Sequence, residues 1–403
     1  MEPKIKIQDF TYFLPEVKIA KYPLTNRDDS TILIFRDNLI SESKFSNLAQ
    51  QIPDNSFMVF NNTKVVPARL FFKKSSGAHI EVFCIEPHTP SDYARSFETT
   101  HNCIWTCVIG NSKKWKDEDV FFDASGHSEL LKYNLKANRV ENNGETSIVK
   151  FTWDGGLSFA QIMELCGKVP IPPYLNRESE ESDTERYQTL YAKIRGSVAA
   201  PTAGLHFTDS VLKALDDKGI IREELSLHVG TGTFKPVKTE FIKDHPMHSE
   251  PFSVTLSFLK ALKDSIGRRC VIAVGTTSAR TLESLYYIGI KCIEGVSPLD
   301  VEQWEPYNRT YSQSSFDSIN ALCNWMESNK IKILECRTRI IIVPGYKFRL
   351  VDALITNFHQ PASTLLLLIA AFIGDRWRDV YNYALDNNFR FLSYGDSSLL
   401  FKK

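Results

Sequence analysis

The stretches that decide the fold are residues 268–289, RRCVIAVGTTSARTLESLYYIG, and residues 348–373, FRLVDALITNFHQPASTLLLLIAAFI. Each begins with an apolar run of strand length, passes through a polar turn and continues with apolar residues at helical spacing. Apolar runs of this kind, followed by helices, are typical of strands buried inside an α/β sheet. The sequence therefore predicts strands over 268–274 and 348–356, each leading into a helix, in a mixed α/β fold.

The segment from about residue 69 to residue 153 has a different character. Its short runs of β-branched and aromatic residues, HIEVFCIEP, IWTCVIG, VFF, LKYNL and SIVKFTW, are separated by turns such as Ser-Gly and Asn-Asn-Gly. This pattern predicts the strands of an all-β barrel or sandwich. Helical spacing returns directly afterwards, so we expect the β unit to be an insertion. Residues 1–68 and 154–403 are then one discontinuous α/β domain, and residues 69–153 are the inserted all-β domain.

The composition is that of a globular protein, because 43% of the 403 residues are hydrophobic and 24% are charged. The 48 Lys and Arg residues balance 48 Asp and Glu residues, so a nucleic-acid partner has to be held by a local basic patch. No apolar run approaches the roughly 20 residues that span a bilayer. The N-terminal segment interleaves charges with its apolar residues, so it is not expected to be a signal peptide. Eight scattered cysteines without a C-x-x-C pair predict reduced thiols and a cytoplasmic location. The acidic run RESEESDTER at 177–186 is expected to be a solvated loop.

Two polar turns follow the predicted strands, one at Thr276–Thr277 and one running from Asn357 to Ser363. Ligands of α/β sheets bind beyond the carboxyl ends of the strands, and a helix start offers free N–H groups to an anion. One interpretation is that these turns hold carboxylate, ribose or phosphate oxygens. The other is that Thr and Ser only cap the helices, which is the commoner case for either turn alone.

Three further segments carry titratable or glycine-rich patterns. GSVAAPTAGLHFT at 196–208 joins small residues, which permit close approach to a flat ligand, with His206, although a core histidine fits equally well. HVGTGTF at 228–234 lacks the third glycine of a dinucleotide fingerprint. HPMHSE at 245–250 superficially resembles a metal-binding set. Pro246 argues against a helix that presents both histidines, so acid–base or sugar-hydroxyl contacts are favoured over a metal.

Two stretches carry candidate nucleic-acid contacts. In FNNTKVVPAR at 60–69, Lys64 and Arg69 are uncompensated by acidic neighbours, and with the lysines at 73–74 they suit phosphate contacts. A solvated hairpin tip is the alternative. The run KKWK at 113–116 combines cations with an aromatic ring, a combination that suits binding to exposed bases.

Taken in order along the chain, these strings closely resemble one family, the S-adenosylmethionine:tRNA ribosyltransferase-isomerases of queuosine biosynthesis. The strings are FNNTKVVPARL (60–70), VPIPPYL (169–175), GSVAAPTAGLHFT (196–208), LHVGTGTFKPV (227–237), HPMHSE (245–250), VGTTSARTLES (274–284), VPGYKFRLVDALITNFHQPASTLLLL (343–368) and FRFLSYGD (389–396). The resemblance runs from YFLPEVKIA at 12–20 to the end of the chain, and it is weakest in the β-rich middle and over 301–338.

The resemblance implies a mixed α/β catalytic domain with an inserted β-barrel domain, in agreement with the pattern above. It implies that S-adenosylmethionine donates its ribosyl moiety to 7-aminomethyl-7-deazaguanine at the wobble position of a tRNA with a GUN-type anticodon. The products are epoxyqueuosine in tRNA, adenine and methionine. S-adenosylmethionine is then a substrate, and no metal or redox cofactor is required. The protein is expected to be monomeric, cytoplasmic and independent of a membrane.

Such a reaction needs proton transfers, because a base must remove a proton beside the sulfonium and the acceptor amine must attack as the neutral form. Neutral imidazoles suit these steps at pH 7. The catalytic candidates are His206, His228, His248 and Glu250, the last as base or as the partner of a histidine. The candidates for binding the methionine carboxylate or the sugar hydroxyls are Thr276, Thr277, Arg280, Asn357 and His359.

The remaining substrate-binding candidates come from the other shared strings. Those expected to contact the modified base or nearby phosphates are Asn61, Asn62, Thr63, Lys64 and Arg69. Further candidates without a specified contact are Thr202, Thr233, Ser363, Tyr394 and Asp396. Arg390 and Ser393 belong to the same string as the last two, and packing and catalysis are equally compatible with that string.

One departure from the family pattern concerns its HLPKSTLL-type string, which reads HQPASTLL at 359–366, so that Ala362 replaces a usual lysine. If that lysine neutralises substrate charge, a neighbour has to compensate or activity falls. The alternative function is therefore a catalytically impaired, tRNA-binding relative. A methyltransferase is disfavoured, since no strand followed by G-x-G-x-G is present.

Overall fold

The computed structural model of the chain describes residues 3–116, 118–125, 128–230 and 237–402. The strands are β1 (Thr31–Arg36), β2 (Leu39–Lys44), β3 (Ser56–Asn61), β4 (Thr63–Val65), β5 (Arg69–Lys73), β6 (His79–Thr89), β7 (Asn102–Gly110), β8 (Val120–Phe122), β9 (Lys136–Asn142), β10 (Ser147–Thr152), β11 (Ile194–Ser197), β12 (Ile221–Leu227), β13 (Glu250–Thr255), β14 (Cys270–Val274), β15 (Asp300–Val301), β16 (Ile333–Thr338), β17 (Ala353–Asn357) and β18 (Ser397–Phe401). The α-helices are α1 (Leu48–Gln51), α2 (Tyr93–Glu98), α3 (Phe159–Cys166), α4 (Asp183–Arg186), α5 (Asp209–Asp217), α6 (Leu256–Ser265), α7 (Thr276–Ile293), α8 (Ser315–Ser328), α9 (Thr364–Ile373) and α10 (Trp377–Asp386).

The main sheet has the strand order β15-β16-β13-β12-β3-β14-β17-β18-β1-β2. At its centre β12, β3, β14 and β17 run parallel to one another. Every residue of β3 and of β17 is buried, as expected where helices cover both faces of a parallel sheet. Because parallel strands point the same way, the carboxyl ends of these four strands reach one edge of the sheet.

Both predicted strand–turn–helix units are present, with β14 leading into α7 and β17 leading into α9. The second strand is shorter than predicted, since it begins at Ala353 and not at residue 348. The buried carboxylate of Glu283 in α7 accepts the backbone N–H groups of Leu350 at 2.9 Å and Val351 at 3.0 Å. These N–H groups donate to a side chain and not to a neighbouring strand, so residues 350 and 351 are not part of β17.

The helices begin where capping side chains satisfy the first free N–H groups. Thr208 accepts from Val211 N at the start of α5, and Ser158 with Gln161 forms a capping box at α3. Helix α7 is buried along most of its length and packs on α8. Within the described ranges, no helix combines the length and apolarity that crossing a membrane takes.

The inserted unit is a closed barrel with the strand order β10-β7-β6-β5-β8-β9. Alternate residues of β6 and β7 point inward, which places Val82, Cys84, Trp105 and Cys107 in the barrel core. The predicted α/β fold with an inserted all-β barrel is therefore confirmed. One predicted strand is wrong, because LKYNL falls largely within the 3₁₀ turn Ser128–Tyr133.

Candidate functional site

Three adjoining cavities lie along the edge where the parallel strands end. The inner cavity, of about 70 Å³, is lined by residues that include Tyr174, Thr202, Thr276, Thr277, Asn357, His359, Ser363 and Ser393. The outer cavity, of about 250 Å³, is lined by residues that include Lys238, His245, His248, Glu250, Arg280 and Leu365. The barrel cleft, of about 430 Å³, is lined by residues that include Glu86, Tyr93, His228, His248, Glu250 and Arg337. Leu365 borders the inner and outer cavities, and His248 and Glu250 border the outer cavity and the barrel cleft.

The inner cavity is floored by the start of α7. Gly275 at the N-cap has φ 88°, a conformation that favours glycine, and no side chain caps the helix. Thr276 and Thr277 follow, both buried. The Oγ1 of Thr277 has no hydrogen-bonding partner in the described part of the chain. This helix start thus offers both N–H groups and a free hydroxyl to a ligand.

Asn357, the last residue of β17, lies beside this helix start and is buried. Its Nδ2 donates to Leu392 O at 3.0 Å and lies 3.3 Å from His206 Nε2. The other ring nitrogen of His206, Nδ1, lies 2.8 Å from Ser30 Oγ. His206 is therefore buried behind Asn357, outside the linings of the three cavities. Burial lowers the pKa of His206 to about 4.

His359 and Ser363 line the inner cavity from the turn after β17. The Nε2 of His359 lies 3.0 Å from Thr356 Oγ1, and burial lowers the pKa of His359 to about 3, so its ring is neutral at pH 7. Ser363 caps α9, since its Oγ accepts from Leu366 N at 3.2 Å and donates to Gln360 O at 2.7 Å. The capping interpretation is therefore confirmed for Ser363, which also borders the inner cavity.

The outer cavity contains a buried ion pair. Arg280 Nη1 donates to Glu250 Oε2, and Arg280 Nε donates to Ile340 O at 3.2 Å. The backbone N–H of Gly230 donates to the other carboxylate oxygen at 3.4 Å. Arg280 Nη2 is buried and has no partner among the described residues. Glu250 thus orients a guanidinium that keeps one nitrogen available, while His248 lies exposed at the boundary with the barrel cleft.

The barrel cleft is where the inserted domain meets the sheet. The ring of His228, directly after β12, stacks on the ring of Tyr93 in α2, with centroids 4.3 Å apart and planes 6° from parallel. Gly196 lies against this pair: a Cβ there would be 2.5 Å from His228 Nδ1 and 2.8 Å from Tyr93 Cδ1. Burial lowers the pKa of His228 to about 4, so its ring is neutral at pH 7.

Asn61 and Thr63 lie in the protein interior and not on a cavity wall. Asn61 Nδ2 donates to Leu227 O at 3.0 Å, and its Oδ1 accepts from Leu227 N at 3.1 Å. Thr63 Oγ1 donates to the same carbonyl and accepts from Ser197 Oγ at 2.9 Å. This network fixes the end of β12 and so positions His228. The side chain of Asn62 is also hydrogen-bonded, because its Nδ2 donates to Glu224 Oε2 at 3.1 Å.

Most of the cations in the basic stretch at 64–74 form ion pairs within the protein, which the sequence does not indicate. Arg69 donates to Glu81 at 2.7 Å, so the expectation of uncompensated charge is wrong for Arg69. The lysines at 73 and 74, expected to add to a phosphate-binding surface, also pair with carboxylates, Asp123 and Glu118. Their partners lie far along the chain or across a strand pair, where neighbouring sequence does not reveal them. Lys64 pairs with no carboxylate in the described ranges.

Two further expectations are corrected by burial. Trp115 lies in the barrel core and donates from Nε1 to Glu118 O at 2.8 Å, so it is no stacking platform for bases. The acidic run at 177–186 is not wholly solvated, because buried Asp183 accepts two 2.7 Å hydrogen bonds from Arg177 and one of 2.8 Å from Tyr394. A buried, paired carboxylate cannot be told from a solvated one by composition.

Two other sequence candidates, Tyr394 and Asp396, fall outside the linings of the three cavities. Tyr394 is held by the Asp183 contact, and Asp396 accepts from Thr31 N at 3.0 Å and Arg390 N at 2.8 Å. Thr233 lies outside the described residues. No group of three or more His, Cys, Asp or Glu in the described ranges is arranged to hold a metal ion.

Residues near the site that the sequence did not single out include Ser30, Tyr93, Tyr174 and Ser197. Tyr174 lines the inner cavity, and its hydroxyl lies 2.5 Å from Ser393 Oγ. Tyr174 belongs to VPIPPYL at 169–175, one of the strings that resemble the family, so the sequence does carry a signal for it. Ser197 belongs to the string GSVAAPTAGLHFT at 196–208. Ser30 and Tyr93 have no local signal, because each contacts a residue distant in the chain.

The edge formed by the carboxyl ends of parallel strands is where α/β proteins usually bind their ligands. The family model for queuosine biosynthesis protein matches residues 7–400, and the chain belongs to that family. A relative from Trichlorobacter lovleyi, named S-adenosylmethionine:tRNA ribosyltransferase-isomerase, is 36% identical over 98% of this chain and 99% of its own. A relative of the same name from Halothermothrix orenii is 37% identical over 98% of this chain and 100% of its own length. The solved S-adenosylmethionine tRNA ribosyltransferase of Thermotoga maritima is 24% identical over 97% of this chain and 99% of that one, with a TM-score of 0.46.

Proposed function

We propose that this protein is an S-adenosylmethionine:tRNA ribosyltransferase-isomerase. It transfers the ribosyl moiety of S-adenosylmethionine to 7-aminomethyl-7-deazaguanine at the wobble position of tRNA and isomerises it, which gives epoxyqueuosine, adenine and methionine. The tRNA carries a GUN-type anticodon, and the protein acts as a monomer in the cytoplasm. Membership of the family and full-length similarity to relatives of this name support the proposal.

The observation that carries it is a set of three buried polar atoms that have no partners in the described part of the chain and belong to residues lining two adjoining cavities. They are Thr277 Oγ1, Asn357 Oδ1 and Arg280 Nη2, and all three residues line the inner or outer cavity. Leaving a buried polar group unpaired costs about 1–3 kcal/mol, so an unpaired group whose residue lines a cavity is suited to a ligand that completes its hydrogen bonding. A guanidinium nitrogen suits the methionine carboxylate, and the hydroxyl and the amide oxygen suit ribose or adenine.

The residues around the cavities also suit the proton transfers. A base removes the proton on the sugar carbon beside the sulfonium, adenine leaves, the neutral amine attacks the sugar, and closure of the epoxide expels methionine. His228 is neutral at pH 7, and His248 lies at the boundary of the two larger cavities, so we assign these proton transfers to them. Glu250 serves mainly to orient Arg280.

The test is incubation of the purified protein with S-adenosylmethionine and tRNA that carries the aminomethyl-deazaguanine base. Release of adenine and methionine in equal amounts, with the modified base in the tRNA, is the expected result. Formation of S-adenosylhomocysteine would mean methyl transfer and would contradict the proposal. Tight tRNA binding without any product would favour the impaired relative.

Ala362 is the observation behind that second candidate. It has φ 51°, its N–H donates to Phe10 O at 2.9 Å and its carbonyl accepts from Val237 N at 3.1 Å. The backbone of this turn is thus held in place without the lysine of the family pattern. If the protein is impaired for lack of that charge, Ala362→Lys should raise turnover; if it is fully active, the substitution should change turnover little.

A further inference from the structure

The inner cavity contains an amide side chain whose two polar ends have different surroundings. Asn357 is 3% exposed and lines the cavity. Its Nδ2 faces Leu392 O at 3.0 Å and Ser393 O at 3.4 Å. Backbone carbonyls only accept hydrogen bonds, so the amide nitrogen, and not the oxygen, has to face them. The orientation of the side chain is therefore fixed by the backbone around it.

With that orientation, Asn357 Oδ1 is the atom left for a ligand. It is buried and has no donor among the described residues. Buried amide oxygens are seldom left without a partner in folded proteins. Since Oδ1 is an acceptor only, the ligand that completes it has to present an N–H or O–H group.

The same orientation determines the protonation of His206. Asn357 Nδ2 approaches His206 Nε2 at 3.3 Å as a donor, so Nε2 has to carry the lone pair. The proton is then on Nδ1, where it is donated to Ser30 Oγ at 2.8 Å. A second proton on Nε2 would face the amide N–H groups. Both ring nitrogens of His206 are thus committed to the protein, and the ring also packs on Phe45 at 5.1 Å between centroids.

We infer that Asn357 Oδ1 accepts a hydrogen bond from an N–H or O–H group of S-adenosylmethionine, and that Ser30 and His206 are positioning residues that hold this acceptor. The inference rests on the proposed function and deepens it. S-adenosylmethionine offers two sources of such a donor, the 6-amino group of adenine and the ribose hydroxyls. His206 then has a role in substrate binding and not in the proton transfer expected from the sequence.

The first test identifies the donor by steady-state kinetics at saturating tRNA. Asn357→Ala is expected to lower kcat/KM for S-adenosylmethionine by about tenfold, mainly through KM. Asn329→Ala, an exposed amide at the end of α8, is the matched control. Analogues lacking the 6-amino group or one ribose hydroxyl are then compared, and the variant should show no penalty with the analogue that lacks the donor. An equal penalty with every analogue overturns the assignment of Oδ1.

The second test separates positioning from acid–base catalysis. His206→Gln can accept from Asn357 and donate to Ser30, so it should retain kcat/KM within about threefold, whereas His206→Phe, which fills the space without these bonds, should lose about tenfold. Ser30→Ala should raise KM for S-adenosylmethionine as well, by a smaller factor than His206→Phe does. In the Asn357→Ala background, His206→Phe should cause no further loss in KM. The pH dependence of kcat should be the same for His206→Gln and the wild type.

A loss of about a hundredfold or more in kcat for both His206 variants, with a missing limb in the pH profile, would assign His206 to catalysis and overturn the inference. Circular dichroism and urea unfolding of each variant separate this outcome from misfolding. If the wild type releases no adenine, the proposed function fails and the inference fails with it. If the wild type is active and His206→Gln behaves like His206→Phe, only the inference fails.

Discussion

Burial of His206 makes the stability of the folded chain depend on pH. In the fold its pKa is lowered to about 4 from an ordinary value of 6.5, because the protonated ring would lose its solvation. Between these two values the unfolded chain therefore binds more protons than the folded chain. The stability that the neutral ring contributes is complete above pH 6.5 and is lost as the pH falls toward 4. The loss amounts to at most about 3 kcal/mol.

The expected outcome is that His206→Gln loses less stability than the wild type when the pH is lowered from 7 to 4. The glutamine does not titrate, so the difference in unfolding free energy between the two proteins should narrow or reverse by up to about 3 kcal/mol. Urea unfolding at several pH values measures this. His101→Gln, at an exposed position in the barrel, is the matched control for the chemical change. Parallel pH curves for the wild type and His206→Gln would show that the ring is not held neutral.

At the scale of elements, the contact between α2 of the barrel and the end of β12 depends on one glycine. Gly196 in β11 has φ 138°, and a Cβ there would meet both rings of the His228–Tyr93 stack below 3 Å. We expect Gly196→Ala to displace His228 and lower kcat/KM by about 10- to 100-fold, since small misplacements of reacting groups are costly. Adenine release under steady-state conditions is the measurement.

Gly77→Ala is the matched control for this substitution. Gly77 also has a positive φ, 85°, but no atom lies within 4 Å of the position of its Cβ. It therefore reproduces the backbone strain of the alanine without the clash. Equal losses of activity in both variants would attribute the effect to strain and would leave the stacked pair without a role.

Local features of the fold could be predicted from the sequence, and long-range contacts could not. The helix cap at Thr208 and the end of a strand at Asn357 could be predicted, because each depends on residues that are close in the chain. The Arg280–Glu250 pair and the Ser30–His206–Asn357 contacts could not be, because they join residues 30 to 176 positions apart. Composition also hides burial, so Asp183 and Trp115 were predicted to be solvent-facing when both lie in the interior.

At the scale of the whole molecule, equal numbers of basic and acidic residues leave tRNA binding to a local surface. The short pair of strands β4 and β11 offers one, because Lys64 and Arg195 are register neighbours there. Both line a cavity of about 240 Å³ where the barrel joins the α/β domain. Arg195 pairs with Glu164 at 2.6 Å, while Lys64 has no carboxylate partner in the described ranges. Lys64 is therefore the cation on this surface that is best placed to contact a phosphate.

We expect tRNA affinity to fall by at least about tenfold between about 50 mM and about 200 mM salt, because each phosphate contact releases counterions. Lys64→Ala should weaken binding for every tRNA alike and reduce the slope of log Kd against log salt by about 1. Lys332→Ala, at an exposed position between α8 and β16, is the matched control and should leave the slope unchanged. Filter binding across a salt series measures both quantities. A Kd independent of salt would exclude a phosphate-contacting patch, and an unchanged slope for Lys64→Ala would place that patch elsewhere on the molecule.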